Sequence, residues 1–210
     1  MKREFLTFCI LLLSLAATHA ASSPELGIRL FNDEQWTTAQ QFFESYTSEH
    51  PTDAVGAFYL GRTLFEQQQY EGAVEWLEKA ALLDNANSQY HLWLGRAYGY
   101  SAQHASILWQ FSLARKVKIH FEKAVELDPN NIDARADLAE YYLKAPRILG
   151  GSKEKAEAQV HEISSRNLEE GLRVWRMIAA ANAQEYVQAE QEKQRQRQER
   201  GATLGKGILP

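Results

Sequence analysis

Beyond its first twenty residues the chain contains no cysteine. The single Cys9 lies in that N-terminal stretch, so residues 21–210 offer no thiol nucleophile and no disulfide. The histidines of this part, His50, His91, His104, His120 and His161, are spread along the sequence. His161 opens the stretch HEISS, which lacks the second histidine that H-E-x-x-H places on one helix face for zinc. His91 and His120 would approach each other across a helix pair, but two imidazoles without a carboxylate do not make an ordinary metal site. Gly150-Gly151-Ser152-Lys153 would present backbone N–H groups to an anion at a helix start. A phosphate loop, however, needs G-x-x-x-x-G-K-[ST] after a strand, so the glycines read as a turn and Ser152 as an N-cap. Neither a G-x-S-x-G elbow nor a dinucleotide glycine pattern occurs. The residues therefore assign no catalytic group, no metal ligands and no cofactor, and the expectation is a binding protein that is not an enzyme.

Charge and the N-terminus narrow the partners. With 23 basic and 27 acidic residues the net charge is -4, which gives no chain-wide basic surface for nucleic acid. Lys2 and Arg3 precede an apolar run from Phe5 to Ala17 that ends in Ala-Thr-His-Ala. A basic start, a short apolar run and small residues at Thr18 and Ala20 fit a secretory signal cleaved after Ala20. An uncleaved anchor is the alternative, although the run falls short of the roughly 20 residues that span a bilayer. Cleavage leaves 21 basic and 26 acidic residues, no integral membrane span, and an exported, periplasmic protein indifferent to an oxidising compartment.

The elements that must position any binding residue are written as a repeat. Leu26-Gly27, Leu60-Gly61 and Leu94-Gly95 follow one another at 34 residues, and Leu138-Ala139 takes the same place 44 residues later. Three columns keep the phase downstream: Ala39, Ala73, Val117 and Ala156; Phe43, Leu77, Phe121 and Val160; Tyr46, Ala80, Ala124 and Ile163. Leu60, Gly61 and Leu64 mark one face of a first helix, and Ala73, Leu77 and Ala80 one face of a second. Glycine or alanine where the helices cross lets the backbones approach. No such pair buries its apolar stripe alone, so the core must form by stacking neighbours.

The stretches YLGRTLF…YEGAVEWLEKAALLDN and WLGRAYG…KVKIHFEKAVELDPNN resemble the tetratricopeptide repeat (TPR) nearly residue for residue, although Ala57, His91 and Arg135 stand where that family has tryptophan. EYYLKAPRILGGSKEKA is similar to a segment of exported bacterial proteins of this kind. The resemblance implies an all-α fold, a right-handed superhelix (α-solenoid) of helix-turn-helix repeats. It divides the chain into a signal peptide (1–20), pairs over 21–53, 54–87, 88–131 and 132–170, a partial fifth repeat with a polar helix (171–200), and a disordered tail (201–210). Tyr186 and Ala189 repeat the spacing of Tyr70 and Ala73 in that fifth unit.

The resemblance also implies a concave groove lined by the first helix of each pair. Carried over by position, its residues are Phe58, Tyr59, Arg62, Phe65 and Glu66, then Leu92, Trp93, Arg96 and Tyr100, then Asp137, Glu140 and Lys144. Arg62 and Arg96 hold the same place in successive units. They would either grip a carboxylate of a protein or peptide partner or pair internally with an acid such as Glu66 or Glu140.

Two insertions interrupt the period. The ten-residue insertion between Tyr98 and Val117 brings Ile107, Leu108, Trp109, Phe111 and Leu113. It reads as two lengthened helices joined by a turn near Ala102–Ser106. Its apolar residues either cap the stack or form a ledge, with Trp109 and Phe111 prominent, for a partner or a membrane surface. The five-residue insertion carries Pro146 and the double glycine. The expectation for function is a non-catalytic scaffold holding a protein or peptide segment of acidic character. Two other classes stand beside it: a self-associating envelope protein and a binder of small ligands or cell-wall fragments.

Overall fold

The computed structural model describes residues 23–206, with the backbone alone for parts of the last helix. The expected leader and residues 207–210 lie outside them. Every element among the described residues is helical: α1 (Glu25–Asn32), α2 (Trp36–Glu49), α3 (Ala54–Glu66), α4 (Tyr70–Leu83), α5 (Ser88–His104), α6 (Ile107–Leu127), α7 (Ile132–Lys144), a 3-10 turn (Arg147–Leu149), α8 (Lys153–Ser164) and α9 (Leu168–Lys206). They fall into two compact units, α1–α6 up to Pro129 and α7–α9 from Asn130. Among the described residues no helix is long and apolar enough to cross a membrane.

In the first unit each hairpin closes on a small residue. A Cβ on Gly61 of α3 would lie 2.7 Å from Leu77 Cγ and 3.1 Å from the Leu77 backbone nitrogen on α4. The missing side chain is thus what lets α3 and α4 touch, with Ala73, Leu77 and Leu60 fully enclosed around the crossing. The core continues through Phe43, Leu92, Leu94 and Tyr98.

The breaks between helices are also written in single residues. Glu34 and Gln68, 34 positions apart, both adopt positive φ (58° and 62°) just after α1 and α3, turning the chain into α2 and α4. Between pairs, Asp53 Oδ1 accepts from Val55 N at 2.8 Å and Asn87 Oδ1 from Gln89 N at 3.0 Å, capping α3 and α5. In the second unit Asn131 does the same for α7, accepting from Ala134 N at 3.0 Å.

The third hairpin departs from this plan. α5 continues to His104 and α6 starts already at Ile107, with Ala105-Ser106 as the whole connection. In the phase of the preceding pairs, α5 gains one turn and α6 two turns. The left-handed break that ends α1 and α3 does not recur.

In the second unit the double glycine builds a turn. Gly150 sits at φ 94°, and a Cβ on Gly151 would fall 1.8 Å from the Ala145 carbonyl oxygen. Ser152 caps α8, its Oγ accepting from Lys155 N at 3.2 Å. α9 is one continuous helix where the sequence reading has a partial repeat, because residues 172–200 contain neither glycine nor proline to break it. It runs on through Lys206, past Gly201, where that reading begins a tail. The side chains of Tyr186 and Ala189 lie outside the described residues.

Candidate functional site

The first helices of the three hairpins in unit one bring aromatic rings and two arginines onto a shared face. Arg62 leaves α3 one residue after the crossing glycine, and Trp93 and Arg96 leave α5 one turn apart. The Arg62 guanidinium carbon lies 3.4 Å from the Trp93 ring centroid, 4.8 Å from that of Phe31 and 5.8 Å from that of Phe58. Arg96 approaches the same indole at 4.5 Å. One tryptophan therefore serves two cations, an arrangement its π-face favours.

Beyond Trp93 the rings continue. Phe65 meets the edges of Trp93 (5.4 Å) and Tyr100 (5.1 Å), and Tyr100 stacks on Tyr70 at 5.0 Å. On the other side Tyr59 stacks on Phe43 at 5.5 Å and contacts Phe31 at 5.4 Å.

Arg62 is held from within this face. Its side chain is 18% exposed and forms an ion pair with Glu66 one turn on, at 3.6 Å. Burial pushes its pKa down to about 10, against the nearby Glu66 carboxylate, which raises it, and Arg96, which lowers it further. The guanidinium stays charged at neutral pH, while its Nε is buried without a hydrogen-bond partner. Of the two roles expected for Arg62, the internal pair with Glu66 is present.

Other members of the expected set are placed differently. Leu92 is fully enclosed and Phe58 nearly so; both belong to the core rather than to a surface a partner could touch. The reason is the 100° step between successive helical residues. Where Tyr59 and Trp93 face outward, their predecessors Phe58 and Leu92 turn inward. Tyr59, Phe65, Trp93 and Arg96 are half-buried, and Tyr100 is exposed. Glu140 and Lys144 lie on α7 of the second unit and pair with each other one turn apart. Trp109 and Phe111, at the start of α6, are 67% and 47% exposed.

His91 and His120 do meet, with their Nδ1 atoms 3.0 Å apart and rings stacked at 5.2 Å. His91 Nε2 lies 3.1 Å from the Asn85 carbonyl oxygen and must donate to it. With both rings neutral, the state that their lowered pKa values favour, His91 Nδ1 accepts from His120 Nδ1–H. Burial pushes His91 below the usual histidine range, and burial with the neighbouring His91 takes His120 down to about 4. Beside them Tyr98 donates to Glu78, and Lys116 Nζ reaches Glu78 Oε1 at 3.2 Å and the Tyr98 oxygen at 3.0 Å. Burial opposes ionisation of Glu78, but the hydrogen bonds from Tyr98 and Lys116 hold its pKa below the usual range. These groups brace α4, α5 and α6 against one another. Among the described residues no cluster of three or more His, Cys, Asp or Glu is placed to hold a metal ion.

Known proteins agree with this architecture. The family model described as Tetratricopeptide repeat matches residues 30–97, and that of Regulator of microtubule dynamics protein 1-3 matches residues 64–145. No curated protein matches the sequence. Among solved structures, a MamA protein is 17% identical with a TM-score of 0.60, covering 89% of this chain and 94% of its own. A thermophilic TPR protein of Thermus thermophilus is 17% identical with a TM-score of 0.56, covering 75% and 88%. The second TPR domain of human RPAP3, solved in complex with the HSP70 peptide SGPTIEEVD, is 20% identical with a TM-score of 0.51, covering 59% and 96%. With glycine-closed hairpins at a 34-residue period, a matching family model and these backbones beside it, the chain is a protein of the tetratricopeptide-repeat fold.

Proposed function

We propose that the protein is a non-catalytic interaction scaffold that holds an extended protein segment of acidic character on the α1, α3 and α5 face. The observation that carries this reading is the sharing of Trp93 between the Arg62 and Arg96 guanidiniums, with Arg62 Nε buried and unpartnered beside it. Two like charges flanking one ring repel each other, and a carboxylate entering between Arg96 and the exposed Tyr100 would relieve that repulsion. Tyr59, Phe65 and Tyr100 supply contact area around the charge at low cost in conformational entropy. A likeness to the peptide-bound RPAP3 domain supports the same use of the fold. The leader-like sequence of residues 1–20 supports action after export, in the periplasm of a Gram-negative cell.

The direct test is titration of the chain from residue 21 with a labelled acidic nonapeptide such as SGPTIEEVD, against the same peptide with its acids replaced by amides. Anisotropy should rise with the first and not with the second. The double variant Arg62→Met with Arg96→Ala should abolish the rise while circular dichroism stays unchanged. Equal binding of both peptides, or full binding by the double variant, would remove the arginines from the function. Release of a mature protein starting at Ala21, read by N-terminal sequencing of the exported product, tests the location.

A further inference from the structure

The third hairpin carries a surface that the peptide face does not use. Ile107, Leu108, Trp109 and Phe111, the first residues of α6, are 70%, 82%, 67% and 47% exposed. They sit on the turns that lengthen this hairpin beyond its neighbours. An exposed cluster of this kind at a protruding end needs an apolar or interfacial surrounding.

Charge says which. From Asn85 to Phe121 the chain has no aspartate or glutamate and four basic residues, Arg96, Arg115, Lys116 and Lys118, within a protein of net charge -4. Three of these follow the apolar residues at a fixed interval of seven positions: Leu108 and Arg115, Trp109 and Lys116, Phe111 and Lys118. Seven residues are close to two helical turns, so each basic residue lies over its apolar counterpart on the same side of α6, about 10 Å further along the axis. Lys116 already meets Glu78, whereas Arg115 is exposed and Lys118 half-buried on the remaining flank.

Apolar first, basic about 10 Å behind it, is the layering of a bilayer leaflet with anionic headgroups. Interfacial elements sink their apolar side chains roughly 5–10 Å into the boundary of headgroups and acyl chains, leaving cations level with the phosphates. Trp109 suits that boundary, where one end of the ring is wet and the other apolar. A folded protein partner would more readily be met by mixed charges around the apolar centre, and a second copy would bring the same cations against themselves. We propose that the start of α6 is a membrane-docking tip, by which the scaffold sits on an anionic lipid surface without crossing it.

Flotation of the chain from residue 21 with lipid vesicles tests this. Vesicles of phosphatidylcholine and phosphatidylglycerol in a seven-to-three ratio should carry the protein, and phosphatidylcholine alone should carry about tenfold less. Leu108→Ser with Trp109→Ser should reduce binding to the anionic vesicles by about tenfold or more, and Arg115→Gln with Lys118→Gln should remove its dependence on salt. Trp109→Phe, which keeps the apolar volume, should retain binding but lose the quenching of tryptophan fluorescence by brominated lipid. Circular dichroism checks that each variant folds; these side chains are largely exposed, and Leu108→Ser alone serves if the double variant does not. No binding to either vesicle, or binding that survives both double variants, would overturn the proposal. So would light scattering that shows a dimer dissociated by the Leu108 and Trp109 changes without any vesicle binding. Peptide binding by Arg62 and Arg96 is read separately and stands or falls independently.

Discussion

The guanidinium of Arg62 packs against Trp93, 3.4 Å from the ring centroid and one repeat away from its own helix. A cation so placed is a contact between neighbouring hairpins before it is anything else. Its burial also costs solvation that one ion pair at 3.6 Å only partly offsets. Arg62→Met keeps the apolar stem and removes the charge. Its unfolding free energy in urea should differ from that of the parent by less than about 1 kcal/mol, whereas Trp93→Ala should lose about 1–3 kcal/mol. A large loss in Arg62→Met would mean the charge itself holds the hairpins together.

The histidine pair makes stability depend on pH. Both rings have folded pKa values depressed below the unfolded value of about 6.5, His120 to about 4, so the unfolded chain binds protons more readily. Stability is full above the unfolded pKa and falls as pH drops from about 6.5 toward 4. Between pH 7 and 5 the loss due to His120 should be about 1–2 kcal/mol, read from urea midpoints. His120→Gln should flatten that stretch of the profile, and an unchanged slope would place the protonation elsewhere.

The two glycines near the crossings should respond oppositely to alanine. At Gly61 a Cβ would meet Leu77 at 2.7 Å, whereas at Gly99, within α5, it would find only Val117 Cγ2, at 3.9 Å. Gly61→Ala should cost about 1–3 kcal/mol through forced separation of α3 and α4. Gly99→Ala should gain up to about 1 kcal/mol from helix propensity. Thermal melts of the two variants side by side decide the matter, and equal shifts would contradict the packing.

Asp53 does two jobs at the start of α3. It caps Val55 N and accepts from the Tyr46 hydroxyl, whose pKa is pushed up to about 12 by burial and by this acid. Asp53→Ala should lower stability by about 1–2 kcal/mol, and Asp53→Asn, which keeps an acceptor for the cap, by less. Chemical denaturation of the pair separates cap from carboxylate.

The helical hairpins were legible because their signal is periodic: Gly61 and Gly95 recur 34 residues apart, and each meets the matching column residue of its second helix, Leu77 and Phe121, at the crossing. The caps follow the same rhythm, Asp53, Asn87 and Asn131 lying 34 and 44 residues apart, but a single polar residue before a helix is easily read as loop. Exposure of individual groove residues was less legible. Family position puts Leu92 and Trp93 together, and only the helical step separates the enclosed side chain from the accessible one. The polar core was legible in part. His91 and Arg135 are both buried in the family's tryptophan place; the approach of His91 to His120, 29 residues away, was expected across the helix pair, whereas the bond from Arg135 to Gln159, 24 residues away, was not. A pairing of the second kind depends on hairpin geometry rather than on local pattern.

The two-residue connection Ala105-Ser106 has a consequence for how this chain can change. It lies at the turn end of a hairpin whose glycine crossing, at Gly95, is farther down, so length added or removed in whole turns leaves the stack undisturbed. The third repeat is in this sense an ordinary repeat wearing a detachable extension. Shortening it back to the common period would yield a scaffold without the tip, and grafting other sequence onto Ala105-Ser106 would give the same scaffold a different address.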